Sequence, residues 1–232
     1  MASSYSTNAQ LEIITTGEKA GQWGGITNTN LQILEQTSTG VLDVDISAGS
    51  STLVLTDGGT STGKNIYLRL HGTLAASRTV TMPVTAERVW IMKDDTVRGA
   101  SNYTVGVLTA SGTTQPIPPG ATVLCKSNGS ETVVTIIEKG YETITDSNSP
   151  YTVVAGAQIL ANTTSAVITV TLPAAASTGD EVTIIDARGT WGSNNLTVGR
   201  NGLPINTGTS DLTLSNNGQS ITLVYVDATR GW

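Results

Sequence analysis

Val80-Thr81-Met82-Pro83, Val89-Trp90-Ile91-Met92 and Asn102-Tyr103-Thr104-Val105-Gly106 follow one another in the first half of the chain. Val170-Thr171-Leu172-Pro173, Val182-Thr183-Ile184-Ile185 and Asn195-Leu196-Thr197-Val198-Gly199 return in the same order in the second half. The last two blocks share one offset, which matches Val89 to Val182 and Asn102 to Asn195. A repeat this long indicates whole small domains, because the units of a solenoid run roughly 20–50 residues. The chain therefore reads as two related β modules in tandem. None of the repeated positions is a plausible catalyst, which points to a structural or binding role.

Composition agrees with this reading. A chain of 232 residues has room for two domains. Charged residues make up 13% and aromatics 4%, and there is no Phe. Thr, Val, Ile, Ser, Asn and Gly dominate instead, the vocabulary of short strands joined by tight turns. The net charge of −6, with no cluster of Lys and Arg, disfavours nucleic acid or an anionic membrane as a partner. No apolar run approaches the roughly 20 residues of a spanning helix, so no membrane insertion is expected. Met1-Ala2-Ser3-Ser4-Tyr5 has neither the charged nor the apolar region of a secretory signal.

Three segments are expected. Residues 1–36 form an N-terminal arm: Leu11-Glu12-Ile13-Ile14 is strand-like, Thr16 to Gly25 is a Gly-rich loop holding Trp23, and one short helix follows. Thr27 or Asn28 can cap that helix, and Gly40 ends it. Ile26, Leu31, Ile33 and Leu34 give it an apolar face that it cannot bury alone. The first module covers 37–140 and the second 141–232. In the first, Val41 to Ile46 alternates from Leu42 onward, and Ile66-Tyr67-Leu68-Arg69-Leu70 alternates throughout, so one face of each strand is buried. The expected fold class is all-β, an arm with one short helix followed by two tandem, related antiparallel β-sandwich or barrel modules. The second module lacks a counterpart to the strand after Ser127-Asn128-Gly129-Ser130. Either the chain is cut at Trp232, or Trp232 starts an edge completed by another chain.

Chemistry-bearing motifs are few. Gly58-Gly59-Thr60-Ser61-Thr62-Gly63-Lys64-Asn65 comes within one residue of a phosphate-binding loop, but it ends in Asn and leads into a strand, so it reads as a polar hairpin loop. One histidine, His71, and one cysteine, Cys125, are too few for a zinc site within one chain. Cys125 lies in an apolar run and reads as a buried thiol. Asp43 and Asp45 share a strand face, while Asp94-Asp95 and Asp180-Glu181 are expected at turns, where solvation accounts for them. No catalytic, cofactor-binding or metal-binding residue is assigned.

Three regions carry a family resemblance. Thr16-Gly17-Glu18-Lys19-Ala20-Gly21-Gln22-Trp23-Gly24-Gly25-Ile26-Thr27-Asn28-Thr29-Asn30-Leu31 resembles an N-terminal segment of tailed-bacteriophage virion proteins, particularly those of marine phages and cyanophages. Leu74 to Pro83 is similar to a block of the β modules in the same proteins, and Leu172-Pro173, Gly179-Asp180-Glu181-Val182 and Asn194 to Gly202 resemble a second such module, up to Gly231-Trp232. The resemblance implies a non-enzymatic virion protein: a tail fibre or tail appendage, alternatively a capsid decoration or head-fibre protein. It further implies other virion proteins as partners and a homo-oligomer, a trimer first of all. A host cell-surface glycan is a further expected partner, for which Trp90, Trp191, Tyr103 and Tyr151 are the available aromatic platforms. A polysaccharide depolymerase needs a long parallel β-helix or a buried acid pair, and neither is recognisable. Trp23, Ile26, Leu31 and Leu34 are the expected interface residues of the arm.

Overall fold

The computed structural model describes residues 4–99 and 102–232. Met1 to Ser3, the start of the expected arm, lie outside them. The described chain is mostly β with one α-helix. It divides into two compact units, the first formed by Met1–Val97, Val105–Ile117 and Thr122–Ile137, the second by Arg98–Thr104, Pro118–Ala121 and Glu138–Trp232.

In the first unit a small hairpin, β1 (Ser4–Tyr5) with β2 (Glu12–Ile13), precedes the helix α1 (Trp23–Thr39). The strands that follow are β3 (Val41–Asp45), β4 (Ser51–Thr52), β5 (Tyr67–Thr73), β6 (Arg78–Met82), β7 (Arg88–Val97), β8 (Val105–Thr109), β9 (Gln115–Ile117), β10 (Thr122–Ser127) and β11 (Thr132–Glu138). From β3 to β8 the chain alternates between two sheets. β3, β5 and β7 pair in parallel in one, and β4, β6 and β8 pair in parallel in the other. Each pair of strands is one turn of a coil. The coil is then closed by two antiparallel additions, β9 on β8 and β10 on β7. The sheets run β11-β10-β7-β5-β3 and β4-β6-β8-β9.

The second unit has β12 (Tyr141–Thr145), β13 (Tyr151–Thr152), β14 (Gln158–Asn162), β15 (Ile168–Thr171), β16 (Glu181–Asp186), β17 (Leu196–Gly199), β18 (Leu212–Leu214) and β19 (Ser220–Val224). Its sheets run β12-β14-β16-β19 and β13-β15-β17-β18, with the first three strands of each parallel and the last antiparallel. Strand for strand this is the order of β3 to β10.

Parallel pairing within a solenoid-like coil corrects the expected antiparallel arrangement. Alternation along a strand reports which face is buried, and it is the same whichever way the neighbour runs. The turn signals misled for a related reason: the segment between β4 and β5 passes from one sheet to the other, so it is no hairpin loop.

Pairing also corrects the shared offset. Met92 lies between Leu68 and Val123, and Ile184 lies between Ile159 and Ile221, so Met92 corresponds to Ile184 and Trp90 to Val182. The common offset would have matched exposed Val89 to buried Val182, because a slip of one residue reverses a strand's faces. Val105 pairs with Ile117, and Leu196 with Leu214, so Val105 corresponds to Leu196 rather than Val198. Loops of unequal length between strands explain why no single offset holds.

One apolar core in the second unit joins side chains of both its sheets, among them Ile144, Ile159, Val170, Ile184 and Val198. Trp232 belongs to that core. It is nearly fully buried, its ring meets Tyr225 edge-on at 5.6 Å, and its backbone N–H donates to Pro204 O at 2.9 Å. It therefore starts no edge strand, and the edges of the sheet with the longer strands are β12 and β19.

Candidate functional site

The N-terminal arm is part of the first unit, and polar clamps tie it together and to the loop after β4. Asn30, on α1, donates from Nδ2 to Glu12 O at 2.9 Å and accepts from Glu12 N–H at 3.0 Å. Its amide thus takes the place of a neighbouring strand for β2. Lys19 Nζ reaches Glu12 Oε1 at 3.2 Å, and Gln36 Oε1 accepts from Ser61 N–H at 3.2 Å. Gly58 N–H donates to Gln10 O at 2.8 Å, tying the hairpin to the loop after β4.

The helix begins at Trp23 with Gln22 before it and no side-chain cap, so Thr27 and Asn28 sit inside it and cap nothing. Gly24 and Gly25 make this an unfavourable start by about 1 kcal/mol each relative to Ala. The hydrogen bonds to the hairpin hold it in place despite that cost. Gly40 ends the helix as expected, for reasons of space: its N–H donates to Gln36 O, and a Cβ there would run into Gln36 O and Asn65 Oδ1.

At 100° per residue the four expected interface residues spread over an arc of about 140°, with Ile26 at the end nearest Ile33 and Leu31 at the other. Ile26 is half-buried on the side of fully buried Ile33 and Asn30, toward the unit. Trp23, Leu31 and Leu34 lie on the outer side, 65%, 58% and 45% exposed. The structure brings these three together as an exposed apolar stripe and sets Ile26 apart. The sequence signal that separates them is Asn30, a polar residue amid the apolar pattern.

The other motifs are absorbed by the fold. Lys64 is fully buried, and its ammonium donates to Thr56 O and Gly59 O, both at 2.7 Å. Burial first, then the neighbouring Arg88 charge, lowers its pKa, and Asp57 acts in the opposite direction. A lysine spent on its own loop is not offered to a phosphate. Burial also pushes the Cys125 thiol up to about 12, far from reactivity. His71 sits in β5 between Asp45 and Asp95 on the sheet face opposite buried Leu70, whereas Cys125 pairs with Trp90 and is buried on the inner side. The two are not brought together. Asp94 and Asp95 lie within β7, not at a turn, and Asp94 is buried, its Oδ1 accepting from Thr96 Oγ1 at 2.6 Å. Among the described residues there is no cluster of three His, Cys, Asp or Glu side chains suited to a metal.

The expected aromatic platforms are also corrected. Trp90 and Trp191 are fully buried and Tyr151 nearly so, leaving Tyr103 half-exposed. Trp90 Nε1 donates to Gly63 O at 2.9 Å, a core role. The large aromatics that do face solvent are Trp23, Tyr141 and Tyr5.

No motif in the sequence marks Asp186. Its Oδ1 accepts from the N–H groups of Arg188, Gly189 and Thr190, and its Oδ2 from those of Trp191 and Gly218. Burial alone would raise its pKa, but the donors of Gly218, Thr190, Arg188 and Trp191 reverse that and hold it below the usual aspartate value. This carboxylate organises two loops and is a structural centre.

No protein-family model matches the chain, and no curated protein matches it. Among solved structures, one titled "Structure of a chaperone-substrate complex" is similar at 14% identity over 82% of this chain, with a TM-score of 0.36. This chain spans 35% of that one. A likeness this slight bears on neither fold nor function.

Proposed function

We propose that this chain is a non-enzymatic structural protein of a tailed-bacteriophage virion, a tail fibre or tail appendage. It attaches to other virion proteins through its N-terminal arm and presents two duplicated β units. The observation that carries this reading is the arm itself. The segment from Thr16 to Leu31, which bears the family resemblance, is held by Asn30 to β2 of the same arm, yet its helix leaves Trp23, Leu31 and Leu34 in solvent. An apolar stripe of this kind is a liability on a free surface and ordinary at a binding interface. The resemblance also supports a homo-oligomer, and the recurrence of one strand order in both units supports duplication of a scaffold.

Mass spectrometry of purified particles and immunogold labelling test this. Label on tail structures is the expected result. Label on the capsid replaces the tail reading with a decoration protein, and absence of the chain from particles ends the virion proposal. Within the virion, a Trp23→Ala, Leu31→Ala, Leu34→Ala variant is expected to fold normally but be left off the particle.

A further inference from the structure

The two units finish their sheets of longer strands differently. In the first, β11 lies outside β10, and the inward side chains Val123 and Cys125 are fully buried. In the second, β19 holds the place of β10, and nothing lies outside it among the described residues. Ile221 and Leu223 occupy the positions of Val123 and Cys125, opposite Ile184 and Val182, and both remain partly exposed.

The backbone of β19 is open as well. Tyr225 N–H donates to Asp180 O, and Asp186 N–H donates to Gln219 O, both at 2.9 Å. By the alternation of an antiparallel ladder, Ile221 and Leu223 also bond toward β16, so the N–H and C=O groups of Ser220, Thr222 and Val224 point away from it. Three of the other edges carry guards, Asp43 and Asp45 on β3, Pro116 on β9 and Glu142 on β12, while the edge strands β4, β13 and β18 are only two or three residues long. Ser220-Ile221-Thr222-Leu223-Val224 has no charge, proline or glycine.

We propose that β19 pairs with β19 of a second copy, antiparallel about a two-fold axis at Thr222, joining the sheets that contain it into one. This register is self-complementary. Thr222 meets Thr222, and Ser220 meets Val224, as hydrogen-bonded pairs that satisfy every outward group of the strand. Ile221 meets Leu223 of the partner as a closely spaced non-bonded pair, so each half-exposed side chain covers the other. The first unit is the internal precedent, since there a strand on the same edge completes burial of the same two positions. β11 is also uncharged from Thr132 to Ile137, but pairing it with β19 would join copies head to tail in an open chain. The β19 pair closes on itself. An interface of one short strand pair places the dimer at the weak end of specific association.

Sedimentation equilibrium of the full chain at high micromolar concentration, with circular dichroism confirming the fold, tests this. A dimer is expected for the unaltered chain. Thr222→Pro removes one outward N–H and no backbone bond to β16, losing on that side the side-chain hydrogen bond between Thr222 Oγ1 and Thr183 Oγ1, and it is expected to weaken the dimer at least tenfold. Under mild oxidation Thr222→Cys is expected to form a covalent dimer, and Ser220→Cys, whose partner is Val224, is not. A monomer, a trimer or an open series of oligomers from the unaltered chain overturns the proposal. So does equal cross-linking of both cysteine variants, which reads the register even if the proline variant fails to fold. The virion reading does not depend on this result.

Discussion

In the first unit β7 brings Trp90, Met92 and Asp94 to the inner face of its sheet, and in the second β16 brings Val182, Ile184 and Asp186 to the same positions. The middle residues are interchangeable aliphatics, both fully buried. The flanking ones are not. The large ring of the first unit stands on the strand itself and bonds to Gly63, whereas that of the second, Trp191, comes from a loop whose backbone is gathered by Asp186. One strand order thus tolerates two ways of filling its core. Register and inward alternation must be kept, while the source of the bulky side chain is free to move.

The largest expected effect comes from removing the ring that one unit carries on its strand. Trp90→Ala is expected to cost the first unit about 3–5 kcal/mol in urea or thermal unfolding, and Val182→Ala distinctly less in the second. Equal losses would show instead that the two positions fill equivalent space.

Asp186→Ala comes next. Loss of a carboxylate that holds five N–H groups is expected to cost on the order of 3 kcal/mol, read as a lower unfolding midpoint. The pH dependence has a definite sign. Because the folded pKa of Asp186 lies below its ordinary value of 3.8, its stabilisation is complete above that value and is lost as pH falls through the lowered folded one. Acid titration of unfolding should show the wild-type chain losing stability in that range and Asp186→Asn losing less.

Asn30→Ala removes two hydrogen bonds between α1 and β2 and is expected to cost about 1–2 kcal/mol locally. Faster hydrogen exchange in the helix, with the strands unchanged, is the signature. The smallest effect compares the covered and open edges. Native Cys125, its thiol raised to about 12 and buried beneath β11, is expected to resist thiol reagents at pH 8, while Leu223→Cys at the matching place on β19 reacts quickly at high dilution. Similar rates would mean that β11 does not seal its edge.

Several parts of the fold are written locally in the sequence. Alternation in Ile66 to Leu70 and Thr132 to Ile137 declares strands, the repeated blocks mark related regions, and Gly40 stops the helix. These are effects of neighbouring residues, so the chain states them directly. The direction of pairing is not local: β5 and β7 lie side by side in parallel although a strand of the other sheet separates them in the chain. Nothing in either strand names its partner. The same limit hid the fates of Trp90 and Trp191, which read as solvent-facing platforms until register placed one on an inner face and Asp186 drew the other inward. It also hid the division of the arm's helix, since the apolar pattern of Ile26, Leu31, Ile33 and Leu34 announces a helix but not which side is bound. The local elements and the recurrence of the sequence blocks are thus legible in the chain alone. Only the tertiary structure decided which strands meet, which rings are covered and which apolar residues remain in water, because each of those outcomes depends on groups distant in the chain competing for the same space.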